Sequence, residues 1–287
     1  MTTSPDQSPF VVSFDWLYQR LDEPGLKIVD ASWYLPAQNR NAAAEFASAR
    51  IPGAVFFDQD KIVEPASDLP HTIPGPADFA RAAGELGLSE SDTIIVYDGP
   101  GMFSAPRVWW LLRIFGAGNT YVLDGGFDSW KAQGLPTRTS APDAPAVSEF
   151  RTNLNSLAVT DFNSLRSIVE GKTSQIADAR GPGRFTGVEP EPRAGLRSGH
   201  MPGARNVPFP TLLDGGKLKP VSQLRLALEA SGLDLEKPVV TTCGSGVTAA
   251  VITLALQSIG HHNNTLYDGS WSEWGSHEDT PIVTGEA

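Results

Sequence analysis

Six short apolar runs rich in β-branched residues punctuate the chain, at 28–31, 93–97, 120–123, 176–179, 238–242 and 265–267. None alternates apolar with polar positions, so neither face of these strands expects water. That pattern predicts a mainly parallel sheet covered by helices on both faces, an α/β fold. Helical stretches lie between the runs. Ser104 with Pro106 marks a helix start, because proline suits the first turn, and Gly116 marks its end. A comparable helix follows Cys243, presents Val247, Val251, Leu254 and Ala255 on one face, and stops at Gly260.

Laid side by side, the two halves of the chain repeat each other. Lys27-Ile28-Val29-Asp30-Ala31 corresponds to Gln175-Ile176-Ala177-Asp178-Ala179, and Ile51-Pro52-Gly53-Ala54 to Met201-Pro202-Gly203-Ala204. The run ending Tyr97-Asp98-Gly99 corresponds to the run ending Thr242-Cys243-Gly244, and Leu123-Asp124-Gly125 to Tyr267-Asp268-Gly269 at the next strand end. The blocks keep a separation of 144–150 residues, which predicts a duplicated domain. Pro136 to Phe150 contains three prolines among Ser, Thr and Ala, the composition of a linker. The expected division is 1–139, a linker at 140–152, and 153–287. Two such domains should meet across a cleft, a usual ligand position.

With 22 basic and 33 acidic residues among 287, the net charge is −11 and no Lys/Arg run stands out. Nucleic acid and anionic membranes are therefore poor partners, and an anionic substrate needs a local basic site. The N-terminus lacks a basic flank followed by an apolar stretch, and the longest apolar segment, Val247 to Leu256, is too short to span a bilayer. The single cysteine forms no internal disulfide and no zinc site by itself, so a reducing, cytoplasmic location is expected. No metal constellation, Walker loop or dinucleotide fingerprint is present, and no cofactor is expected.

Cys243 opens the segment Cys243-Gly244-Ser245-Gly246-Val247-Thr248-Ala249, which joins a buried strand to a helix. Ligands of open parallel sheets bind just past the carboxyl ends of the strands, where this residue falls. Two glycines let successive amides turn inward as an anion nest, and the helix start adds partial positive charge. Both favour a thiolate and lower the expected cysteine pKa. A cysteine phosphatase would need an arginine six positions on, and that position is Ala249. The counterpart of Cys243 in the first half is Asp98, which cannot act as a sulfur nucleophile. That half is expected to be scaffold and cleft wall. His200 and His261-His262 read as structural or helix-capping residues, and Trp109, Trp110, Trp130, Trp271 and Trp274 as packing residues.

Over almost its whole length the chain resembles the two-domain rhodanese superfamily, with the loop at 243–249 similar to the branch that uses 3-mercaptopyruvate as sulfur donor. The resemblance implies two tandem rhodanese-like domains, the first inactive, and a persulfide formed on Cys243. It implies that Arg184 and Arg193 hold the substrate carboxylate and carbonyl, a task that guanidinium forks suit. A surface pairing of either arginine with Glu189 or Glu191 is the alternative. Gly244, Gly246, Val247 and Thr248 would line the bound sulfur and substrate. Asp60, His71 and Ser245 would relay protons, with Asp58 close enough in sequence to be confused with Asp60. The expected acceptor is a thiol, such as thioredoxin or a small thiol, or cyanide. The alternatives are a thiosulfate:cyanide sulfurtransferase and a non-catalytic persulfide carrier.

Overall fold

The computed structural model describes residues 6–286. Two five-stranded sheets carry the chain. The first contains β1 (Val11–Val12), β2 (Leu26–Asp30), β3 (Ala54–Phe56), β4 (Thr93–Tyr97) and β5 (Thr120–Leu123), in the order β1-β5-β4-β2-β3. The second contains β6 (Val159–Thr160), β7 (Gln175–Asp178), β8 (Ala204–Asn206), β11 (Val239–Thr242) and β12 (Asn264–Tyr267), in the order β6-β12-β11-β7-β8. Every pairing in both sheets is parallel, so the duplication extends to topology. A small antiparallel hairpin, β9 (Leu213–Asp214) with β10 (Lys217–Leu218), belongs to the second half alone.

The near-continuous apolar runs became the inner strands, as their two buried faces require. The short strands β1, β3, β6 and β8, two or three residues each, were not visible as runs. They are held by register with a longer neighbour rather than by their own composition.

The helix after Cys243, Ala249–Ser258, departs from the one-faced pattern. Ala249 through Leu256 are all buried, as are most residues of the matching helix Ala105–Ile114. The two helices pack against each other, so each has its own sheet on one side and the opposite domain on the other. Val108, Trp109 and Leu112 join Ile252, Leu254 and Leu256 in one apolar core that crosses between the halves. A helix buried on every side has no polar face to display. Nor does His261 cap that helix with its ring, which bonds the carbonyls of Leu235 and Asn263 instead. Among the described residues, no helix is long and apolar enough to cross a membrane.

Because β4 and β11 are the central strands, the residues just beyond them, Asp98 and Cys243, leave the middle of each sheet at its carboxyl edge. Thr242 is in register with Asp178, so β7 delivers the segment 179–184 beside Cys243. The equivalent acids Asp30 and Asp178 differ in one respect. Asp178 is neutralised by the bidentate Arg180, whereas Asp30 accepts the amide of Ser32 at 2.8 Å. Burial without a cation pushes the Asp30 carboxyl up to about 6. A carboxyl raised by folding costs stability once it ionises, so the penalty is absent at low pH and complete above its folded pKa. Asp30→Asn should accordingly unfold at higher temperature than the parent at pH 7.5, by an amount equivalent to roughly 2–3 kcal/mol. That advantage should fade toward pH 4; a gain independent of pH would contradict the assignment.

Candidate active site

Cys243 is only 2% exposed, yet one side of it forms the floor of a cavity of about 80 Å³. Gly244, Ser245, Val247 and Thr248 continue the floor, Arg184 and Arg193 stand on one wall, and Trp33 and Phe103 of the first half close the other. The loop is anchored from below by the segment after β12. The amides of Trp271 and Ser272 donate to the carbonyls of Cys243 and Gly244, each at 2.9 Å, and Ser272 Oγ adds a bond of 2.6 Å to the latter.

Both glycines of the loop are dictated by close approach. A Cβ on Gly244 would lie 2.8 Å from Arg184 Nη2, so the missing side chain lets the guanidinium lie over the loop. Gly246 has φ +79° and abuts Arg107, with a Cβ position 3.0 Å from Arg107 Nη1. Contrary to expectation, it is not one of the residues that line the cavity.

The first half shows what this loop does to an anion. Asp98 is fully buried, and its carboxylate accepts the amides of Gly101 (2.6 Å), Phe103 (2.8 Å), Ser104 (2.7 Å) and Ala105 (2.8 Å). Burial raises its pKa, and the four amide bonds oppose the rise. By the repeat, the corresponding amides in the second half are those of Gly246, Thr248, Ala249 and Ala250. The repeat therefore sets Cys243 at the position of that enclosed carboxylate, although the Ala250 amide there donates to the Val247 carbonyl at 3.3 Å.

A hydrogen-bonded line enters from the first half. Asp60 Oδ1 lies 3.1 Å from His71 Nε2, and His71 Nδ1 lies 2.9 Å from Ser245 Oγ, two residues past the cysteine. Trp33 Nε1 donates to the same Asp60 oxygen at 3.0 Å, and its ring stands edge-on to His71 at 4.7 Å. Asp58 instead pairs with Lys61 at 2.8 Å and accepts the Asp60 amide, so it is Asp60 that faces the histidine. Hydrogen bonding from His71 holds the Asp60 carboxyl below the usual range. Burial depresses His71 below its ordinary value, against the pull of Asp60.

The arginines arrive as a chain. Asp178 grips Arg180, whose Nη1 donates to Glu191 Oε1 at 2.6 Å, and the other oxygen of Glu191 takes Arg184 Nε at 3.2 Å together with Arg184 Nη2. Arg184 is therefore paired with Glu191, yet it stays 22% exposed at the cavity. Arg193 forms no ion pair among the described residues. Burial lowers its pKa, while the nearby Cys243 works in the opposite direction.

A model of the rhodanese-like domain matches residues 13–133 and again residues 161–277. The chain belongs to the rhodanese family. It is 43% identical over 272 residues to the 3-mercaptopyruvate sulfurtransferase of Escherichia coli K12, covering 94% of this chain and 96% of that one. It is also 41% identical to the thiosulfate sulfurtransferase of Bos taurus, over 92% of this chain and 91% of that one. The crystal structure of the Escherichia coli enzyme SseA, described as a 3-mercaptopyruvate sulfotransferase, superposes with a TM-score of 0.84 at 41% identity, covering 92% of this chain and 99% of that one.

Three residues of this tandem rhodanese site were not singled out in the sequence: Arg180, Glu191 as an internal bridge, and Trp33. The repeat held one clue, since Asp30-Ala31-Ser32 in the first half becomes Asp178-Ala179-Arg180 in the second. Trp33 follows the corresponding position of the first half, where no pattern reveals that it reaches Asp60. Glu191 has a side chain only 1% exposed between two guanidinium groups. Replacing it by leucine leaves buried Arg180 half-paired, and should cost about 3–5 kcal/mol in denaturant unfolding. A loss under about 1 kcal/mol would show that the chain is not a cooperative unit.

Proposed function

We propose that this rhodanese is a 3-mercaptopyruvate sulfurtransferase that carries sulfur as a persulfide on Cys243. What carries the choice of donor is the line Asp60–His71–Ser245 ending beside the nucleophile. Overall likeness does not choose, because relatives named for either donor are about equally similar. The proton balance of the two reactions does.

When a cysteine thiolate takes sulfur from thiosulfate, the S–S bond breaks, sulfite leaves with the electron pair, and no proton moves. Mercaptopyruvate differs. The thiolate attacks the thiol sulfur, the C3–S bond breaks, and its electron pair stays on the carbon fragment as the enolate of pyruvate. That fragment needs a proton at C3, while the transferred sulfur arrives still bearing one. Moving a single proton from the sulfur to C3 leaves an anionic persulfide and neutral-methyl pyruvate, with nothing else consumed. Ser245 and neutral His71, oriented by Asp60, fit that transfer. Arg193 and the free edge of Arg184 suit the substrate carboxylate and carbonyl, each charged hydrogen bond contributing about 1.5–3 kcal/mol. The loop amides suit the outer sulfur. A thiol such as thioredoxin or a small thiol, or cyanide, then attacks that sulfur and frees the Cys243 thiolate, a ping-pong cycle. A reducing, cytoplasmic setting fits a lone cysteine that must alternate between thiolate and persulfide.

Incubation with mercaptopyruvate should add one sulfur, about 32 Da, to Cys243 in the intact-mass and peptide spectra. Ser245→Ala and His71→Gln should lower kcat/KM for mercaptopyruvate by about 10²–10⁴-fold and leave thiosulfate turnover nearly unchanged. Equal losses with both donors, or a preference of the parent for thiosulfate, would return the assignment to a thiosulfate enzyme. A chain that accepts sulfur from a protein but never from free mercaptopyruvate would be a carrier.

The depressed His71 also sets a pH rule. Only the neutral imidazole accepts a proton, so activity should fall on acidification with a midpoint below the ordinary histidine value. Asp60 raises the His71 pKa, so Asp60→Asn should move that acid limb lower still, as well as slowing turnover. A limb that shifts upward in the variant would be inconsistent with this pairing.

A further inference from the structure

Arg107, on the helix Ala105–Ile114 of the first half, is 1% exposed and faces Asp268, just beyond β12 in the second half. Its Nη2 donates both to Asp268 Oδ1 at 2.7 Å and to the backbone carbonyl of His71 at 2.5 Å. The other oxygen of Asp268 accepts the amide of Ile73 at 2.8 Å. The three-residue turn His71–Thr72–Ile73 is therefore held at its first carbonyl and its last amide by a charge pair spanning the two domains.

We propose that the Arg107–Asp268 pair is a positioning device that sets the His71 ring of one domain onto Ser245 of the other. Three observations converge on it. First, His71 has φ +60°, a left-handed conformation that is strained for a non-glycine residue and persists only where neighbours impose it. The two clamping bonds are the local imposition. Second, the guanidinium is wedged between the Trp110 ring, 4.8 Å away, and the sulfur-binding loop, where Gly246 leaves room for Nη1. A single side chain thus touches both the relay turn and the loop that carries Ser245. Third, Nε and Nη1 of this buried guanidinium have no hydrogen-bond partner among the described residues. A buried pair satisfied so incompletely is a weak source of stability, and apolar groups could replace it at little cost. Its geometry, rather than its energy, accounts for it.

The inference rests on the relay reading of His71, but its test has a readout that does not. Four charged groups bear on the pair and the ring: Asp60 from the loop after β3, Arg107 from the helix, Arg193 from the loop after the helix Pro182–Thr186, and Asp268. The double variant Arg107→Met with Asp268→Asn removes both charges together and keeps an oxygen for the Ile73 amide. In this variant the His71 midpoint, followed by NMR of its ring carbons, should rise, because Arg107 and burial both depress it and the released turn leaves the ring less buried. The single-turnover rate of sulfur uptake from mercaptopyruvate should fall about ten- to a hundredfold, with little change in KM. A folded double variant with the parent's His71 midpoint and the parent's rate overturns the clamp. Should the double variant fail to fold, Arg107→Lys decides, since an ammonium keeps the charge without the planar fork: a slowed sulfur uptake supports the clamp, and the parent's rate refutes it. If the parent itself takes no sulfur from mercaptopyruvate, the proposed function fails, while the titration of His71 in parent and variant still decides whether Arg107 and Asp268 place the ring.

Discussion

Everything at the site depends on the burial of two helices, Ala105–Ile114 and Ala249–Ser258, against each other. Each covers its own sheet and simultaneously fills the face of the opposite domain, so a single apolar core runs through both. Apolar burial of this kind is worth about 25 cal/mol per Å² and has no preferred direction. The direction comes from polar contacts at its margin: Ser8 to Ser258, Leu218 to Asp124, and Ile73 and Arg107 to Asp268. Loosen the shared core and Ser245 in one half loses the histidine supplied by the other. Stability and reactivity are here the same contact surface.

The electrostatic design solves a problem set by composition. A chain of net charge −11 brings several arginines to a cavity of modest size. It does so by neutralising most of the buried charge in pairs: Arg180 with Asp178, Arg184 with Glu191, Arg107 with Asp268. Among the described residues, Arg193 is left as the cation without an ion-pair partner at the cavity wall. The pairs also fix the forks in space, which a free arginine on a mobile side chain does not do.

Much of this was legible before any coordinates. The apolar runs gave the inner strands, and their doubled spacing gave two matching sheets, because strands buried on both faces leave a strong composition signal. The edge strands left none, since two or three residues held by a neighbour's register need no apolar run. The helix after Cys243 looked one-faced because its second buried face depends on a domain about 145 residues away in sequence. At the site, the strand-to-helix turn could be placed from Gly244 and Gly246. The choice between Asp58 and Asp60 could not, because it is made by Trp33 and His71 through tertiary contact. Likewise the open question over Arg184 is answered by Glu191, whose position depends on Arg180 and the end of β7.

The carboxylate of Asp98, swallowed by its own loop, has one more implication. The hairpin β9–β10 lies over that loop, with the Gly216 carbonyl against Gly101, so the first domain's pocket is plugged from within and lidded from without. Here the symmetry of the repeat is broken by a carboxylate that occupies its own loop, so only the second copy keeps a cysteine at that turn.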